Sequence, residues 1–89
     1  MKHVHAFFSG YVQGVGFRYT ARSVAQSLGV VGWVKNCYDG QVELVAEGEE
    51  DALNQVVSQL NRTFEGYVTN SEVSWSEATG EFSSFSIKF

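Results

Sequence analysis

The sequence is poor in cysteine, in positive charge and in long apolar runs, and each shortage narrows what the chain can be. A single cysteine, Cys37, cannot close an internal disulfide, so a reducing compartment is the natural setting. No stretch reaches the length of a membrane span, and the opening Met1-Lys2-His3-Val4-His5 carries no apolar leader, so the expected location is the cytoplasm. Only six lysines and arginines are present, scattered along a chain of net charge −4. Nucleic acid is therefore not expected as a partner, because binding it relies on clustered basic residues. A small anion is not excluded, since it needs only one focused positive pocket.

What is present is a globule's composition. The chain has 89 residues, of which 44% are hydrophobic and 15% aromatic. That is enough to close one core, and the expectation is a single domain over residues 1–89, working as a monomer. No internal repeat, low-complexity segment or linker interrupts it.

Periodicity divides the chain into elements. Residues 2–9 alternate, with Val4, Ala6 and Phe8 on one side and His3, His5, Phe7 and Ser9 on the other, as in a strand. Ala21, Val24, Ala25 and Leu28 follow the i, i+3, i+4, i+7 spacing of one helical face, and Gly29 predicts the stop. Two further strands, residues 32–36 and 41–47, flank Cys37-Tyr38-Asp39-Gly40, a hairpin signal. Glu49-Glu50-Asp51 suits the positive end of a second helix, whose apolar face is Leu53, Val56, Val57 and Leu60. Residues 67–76 predict a fourth strand, and Phe85, Ile87 and Phe89 alternate as a short last one. The order is β-α-β-β-α-β plus a terminal strand. It predicts an α+β fold of the ferredoxin-like βαββαβ kind, an antiparallel sheet with both helices on one face.

The most informative stretch is Gly10-Tyr11-Val12-Gln13-Gly14-Val15-Gly16-Phe17-Arg18, which joins the first strand to the first helix. Glycine permits positive φ and close approach, so such a loop can turn several amide N–H groups toward one point. A helix starting directly behind it adds unpaired N–H groups and the positive end of its dipole. Arg18 supplies a fork of donors suited to phosphate or carboxylate. The stretch can be read as an anion cradle, but taken alone it is read more readily as a tight connection followed by a solvated arginine. Other phosphate signatures are absent. No Gly-Lys-Ser/Thr ending makes it a P-loop, Tyr19 stands where a dinucleotide fingerprint needs its third glycine, and Val12 stands where a cysteine-dependent phosphatase has its nucleophile.

Topology supplies a partner for this loop. In a split βαβ unit the first two strands run parallel with the third between them, so their carboxyl ends lie at one end of the sheet, roughly 10 Å apart. The loop leaves one of these ends and Asn36 sits at the other. That gap has room for a phosphoryl group and an attacking water.

The segments from Gly10 to Tyr19 and from Gly32 to Glu43 resemble the two signature segments of the acylphosphatases, and length, element order and the closing Phe85-Ser86-Ile87 extend the resemblance over essentially the whole chain. The resemblance implies hydrolysis of the carboxyl–phosphate bond of an acyl phosphate to a carboxylate and inorganic phosphate, with no metal, cofactor or covalent intermediate. It implies that Arg18 binds the phosphoryl oxygens with the main-chain N–H groups of Gly14, Val15, Gly16 and Phe17, and that Asn36 positions the water. Where members often carry Gly-Pro after the second helix, this chain has Phe64-Glu65-Gly66-Tyr67 and no proline anywhere, which leaves that connector's conformation open.

Other residues have plainer readings. Cys37 is expected to be a turn thiol with nothing basic beside it, and His3 and His5 lack a third ligand for a metal. Glu43 and Glu47 share one side of a strand and read as solvated, while Asp39 reads as a turn former. Asn61-Arg62-Thr63 matches a glycosylation acceptor that a cytoplasmic chain would not use. Two rivals to the enzyme remain. One is an acyl or carbamoyl phosphate binding module of the same fold, like the acylphosphatase-like domain within larger maturation proteins. The other is an RNA-binding sheet, which the charge and the lack of an aromatic-and-basic strand signature disfavour.

Overall fold

The computed structural model describes residues 1–89. The elements follow one another as β1 (Lys2–Gly10), α1 (Phe17–Ser27), β2 (Val31–Asn36), β3 (Val42–Gly48), α2 (Glu50–Thr63), β4 (Val68–Glu77) and β5 (Phe85–Lys88). The strands form one sheet in the order β4-β1-β3-β2-β5. β3 lies between β1 and β2 and is antiparallel to both, so β1 and β2 run the same way, as a split βαβ unit requires. The sheet is antiparallel apart from its last pair. β5 joins β2 in parallel, because the chain crosses from the β4 edge to the far edge before adding it.

Alternation assigns the faces. Val4, Ala6 and Phe8 pair with Ala46, Leu44 and Val42, and all six are buried on the side covered by the two helices. The helices contribute Phe17, Ala21 and Ala25 from α1 and Leu53, Val56 and Leu60 from α2 to the same core. Phe17 holds the start of α1 by packing between Phe8 and Phe64, with ring centroids 5.0 and 4.7 Å away. The residues between them on β1 and β3, namely His3, His5, Phe7, Glu43, Val45 and Glu47, face the side away from the helices.

Two details depart from the sequence reading. Glu47 is not solvated, with only 3% of its surface exposed. Thr79 N, Thr79 Oγ1 and Gly80 N donate to its carboxylate from the β4–β5 connection, and His3 Nδ1 lies 2.6 Å away. Burial by itself would raise this carboxyl, but the hydrogen bonds from Thr79, His3 and Gly80 outweigh it and lower the pKa from 4.5 to about 2. Strand periodicity could not reveal donors that arrive from a loop more than thirty residues downstream. Phe89 does not continue β5. The last pair is Lys35 with Lys88, and Phe89 beyond it is 94% exposed. Trp75, on the edge strand β4, is 43% exposed.

The connector after α2 turns without proline. Tyr67 N and Val68 N both donate to Phe64 O, Gly66 takes φ +89, and Tyr67 O accepts from Tyr11 N at 2.8 Å. This tract therefore holds the first residue after β1 in place.

Candidate active site

β1 ends in an irregularity. Its register with β4 shifts between Ser9 and Gly10, and the backbone leaves the sheet there. The departing loop is fastened at both ends, since Val12 and Phe17 are each 1% exposed and belong to the core. Between them Gly14 and Gly16 adopt φ of +77 and +80, the left-handed region that other residues resist. Gly16 is also the residue from which α1 starts, and no side chain caps that helix. The first-turn N–H groups have no partner within a helix and no side-chain cap, and their residues border a small cavity.

That cavity, about 150 Å³, is lined by Val12, Gly14, Gly16, Phe17, Arg18, Tyr19 and Asn36. It brings together the loop, the first turn of α1 and the end of β2, as the topology predicts. Asn36 reaches it by register. It pairs with Val42, which in turn faces Phe8, so Asn36 belongs to the row pointing toward the helices. Its Oδ1 is buried and accepts no hydrogen bond from the protein. A buried acceptor without a donor costs about 1–3 kcal/mol, which sets this atom apart from the other buried side-chain polar atoms.

Of the expected site residues, Gly14, Gly16, Phe17, Arg18 and Asn36 line the cavity, while Val15, expected to contribute its main-chain N–H, turns its side chain to the core. Arg18 makes no salt bridge within the protein, and its guanidinium carbon sits 4.9 Å from the centre of the Phe89 ring. The C-terminal residue, read as a strand position, is thus beside the arginine of the site. A larger cavity, about 520 Å³ and lined by Lys35, Asn36, Cys37, Tyr38, Glu43 and Phe89, lies against the other side of Asn36.

The remaining candidates fall outside the chemistry. Burial raises the Cys37 thiol, and the carboxylates of Glu43 and Asp39 push it the same way, so it stays protonated and poorly nucleophilic. His3 and His5 lie on the open face, each 2.6 Å from its own carboxylate, Glu47 and Glu43 respectively. Asp39 accepts from Gln41 N at 3.0 Å, as a turn former does. Sequence reasoning missed Gln13, whose Nε2 donates to Cys37 O and Gln41 O, both at 2.8 Å. A polar residue between core-seeking Val12 and the glycines was the only signal, and its acceptors lie over twenty residues away.

Fold and cavity define a class: a ferredoxin-like α+β domain whose β1–α1 loop and β2 terminus line one small cavity. The sequence model of the acylphosphatases matches residues 4–87. Acylphosphatase from Roseiflexus sp. (strain RS-1) is 46% identical over 88 residues, covering 98% of this chain and 95% of the relative. That from Caldanaerobacter subterraneus subsp. tengcongensis is 40% identical over 87 residues, 97% of each chain. The crystal structure of acylphosphatase from Bacillus subtilis superposes with a TM-score of 0.93 at 38% identity, covering all of both chains. The HypF structure from T. kodakarensis contains a similar domain, with TM-score 0.84 and 28% identity over all of this chain and 12% of that one. This chain belongs to the acylphosphatase family.

Proposed function

We propose that the chain hydrolyses the carboxyl–phosphate bond of acyl phosphates in the cavity between the Gly10–Arg18 loop and Asn36, as a cytoplasmic monomer. The observation that carries the site assignment is the arrangement of that cavity. An arginine without an internal salt bridge, an uncapped helix start and a buried unpartnered acceptor line one space of phosphoryl size. Arg18 and the loop N–H groups hold the phosphoryl oxygens and draw off the charge that develops there. Asn36 Oδ1 accepts a hydrogen bond from the attacking water and so orients it.

A carboxylate is a good leaving group, so orientation and charge stabilisation supply much of the acceleration. Neither polar residue is a base, because arginine remains protonated and an amide takes no proton. The cavity is lined by no histidine or carboxylate. The proton therefore passes to the substrate. The water oxygen bonds to phosphorus, the bond from phosphorus to the acyl oxygen breaks, one proton stays on the new oxygen and the other moves to a phosphoryl oxygen. The products are a carboxylate and dihydrogen phosphate.

The monomer is supported by the sheet edges, where β4 carries Glu72 and Glu77 and short β5 carries Lys88, charges that discourage edge pairing. The cytoplasmic setting is supported by a lone unpaired cysteine. Hydrolysis of benzoyl phosphate, followed with and without a chelator, tests the reaction. Turnover that survives the chelator is expected, and turnover abolished by it would overturn the proposed chemistry.

A further inference from the structure

We infer that Gln13 is a positioning residue that sets the distance between the phosphate-binding loop and Asn36. The inference rests on the site reading above and adds a residue to it. Loop residues 13–16 lie between two buried anchors, Val12 and Phe17. Gly14 and Gly16 have open space around them, since a Cβ added at either would meet nothing within 4 Å. Packing at the glycines therefore does not shape the loop's outer side. The side-chain hydrogen bonds from this tract are those of Gln13, and they use both protons of its amide. One goes to the carbonyl of Cys37, the residue directly after Asn36, and the other to the carbonyl of Gln41, which also accepts from Cys37 N at 2.8 Å and closes the hairpin. A second amide braces the same joint, as Gln41 Nε2 donates to Ser9 Oγ at 2.7 Å.

The consequence is geometric. The loop holds the phosphorus and the base of the hairpin holds the water's acceptor. In-line attack needs both within a narrow tolerance, because misplacement by about 1 Å can cost about 100-fold in rate. Gln13 joins these two bodies without touching the substrate. It should therefore act on kcat through Asn36, with little effect on phosphate binding.

A double-mutant cycle reads this out. Gln13→Ala, and Gln13→Glu, which keeps the length but loses both N–H donors, are measured alone and combined with Asn36→Ala. The readouts are kcat on benzoyl phosphate and competitive inhibition by inorganic phosphate. Each Gln13 variant is expected to lower kcat by about 10-fold or more while shifting phosphate inhibition by about 2-fold or less, which also reports that the loop has folded. In the Asn36→Ala background the same change should alter kcat by less than about 2-fold, since the group it positions is gone. Two full, multiplying effects would overturn the inference, as would a lower melting temperature with kcat intact, which is what a merely structural strut gives. If Asn36→Ala alone leaves kcat unchanged, the site reading fails and the role of Gln13 fails with it. If Asn36→Ala lowers kcat but Gln13→Ala does not, only the Gln13 inference is lost.

Discussion

Asn36 and Arg18 line one cavity, and the proposed reaction assigns them different work that single substitutions should separate. Arg18→Ala removes a charged fork whose hydrogen bonds are worth about 1.5–3 kcal/mol each, so kcat/KM should fall by at least about 10- to 100-fold and inhibition by inorganic phosphate should weaken in parallel. Phosphate inhibition unchanged in that variant would remove Arg18 from the cradle. Glu47 shows the same reasoning applied to stability. Its carboxyl is at about 2 in the folded chain against an ordinary 4.5. A depressed carboxylate contributes stability that is present above pH 4.5 and lost as pH falls toward about 2. Wild type should therefore melt higher than Glu47→Gln at neutral pH, with the gap closing between those two values. A gap independent of pH over that window would mean the ionised form is not what the loop at Thr79 and Gly80 grips.

At the scale of elements, the β1–α1 junction carries the most consequence. Gly10 takes φ +114 at the irregular end of β1, and a Cβ there would fall 2.2 Å from Tyr67 O and 2.8 Å from Thr69 N. Both obstacles are backbone, so Gly10→Ala should destabilise by about 2–3 kcal/mol and lower Tm by roughly 10–20 °C in a domain of this size. A thermal melt within a few degrees of wild type would show that the connector yields. Phe17→Ala, which empties the space between Phe8 and Phe64, should cost about 3–5 kcal/mol, a large share of a typical 5–15. These elements differ in how far the sequence shows them. The two helices follow from apolar periodicity, which is local and survives without neighbours, and the β1–β3–β2 arrangement follows from the connection rules of a split βαβ unit. The register that turns Asn36 toward the helices also follows once Val42 and Phe8 are assigned to the core. Gln13, Glu47 and Phe89 were not legible, because what defines each is a partner brought from a distant segment: the Cys37 and Gln41 carbonyls, the Thr79 and Gly80 amides, and the Arg18 guanidinium.

For the molecule as a whole, a sheet covered on one face by two helices acts as a rigid frame that brings two short segments to one end. The core, reaching from Val4 to Phe85, lies under that end but contributes no reacting group. A frame of this kind predicts activity in a single chain, so the active species in solution should have the mass of one 9.9 kDa chain. Activity found only in a dimer fraction would contradict that. The central claim is that binding of the phosphoryl group and positioning of the water are assigned to separate residues on separate elements. Its most direct test is Asn36→Ala, with kcat on benzoyl phosphate and the inhibition constant for inorganic phosphate measured on the same preparation. The account predicts that kcat falls by about 100-fold or more while the inhibition constant stays within about 2-fold. A variant that keeps its rate, or that loses phosphate binding together with it, would contradict the account.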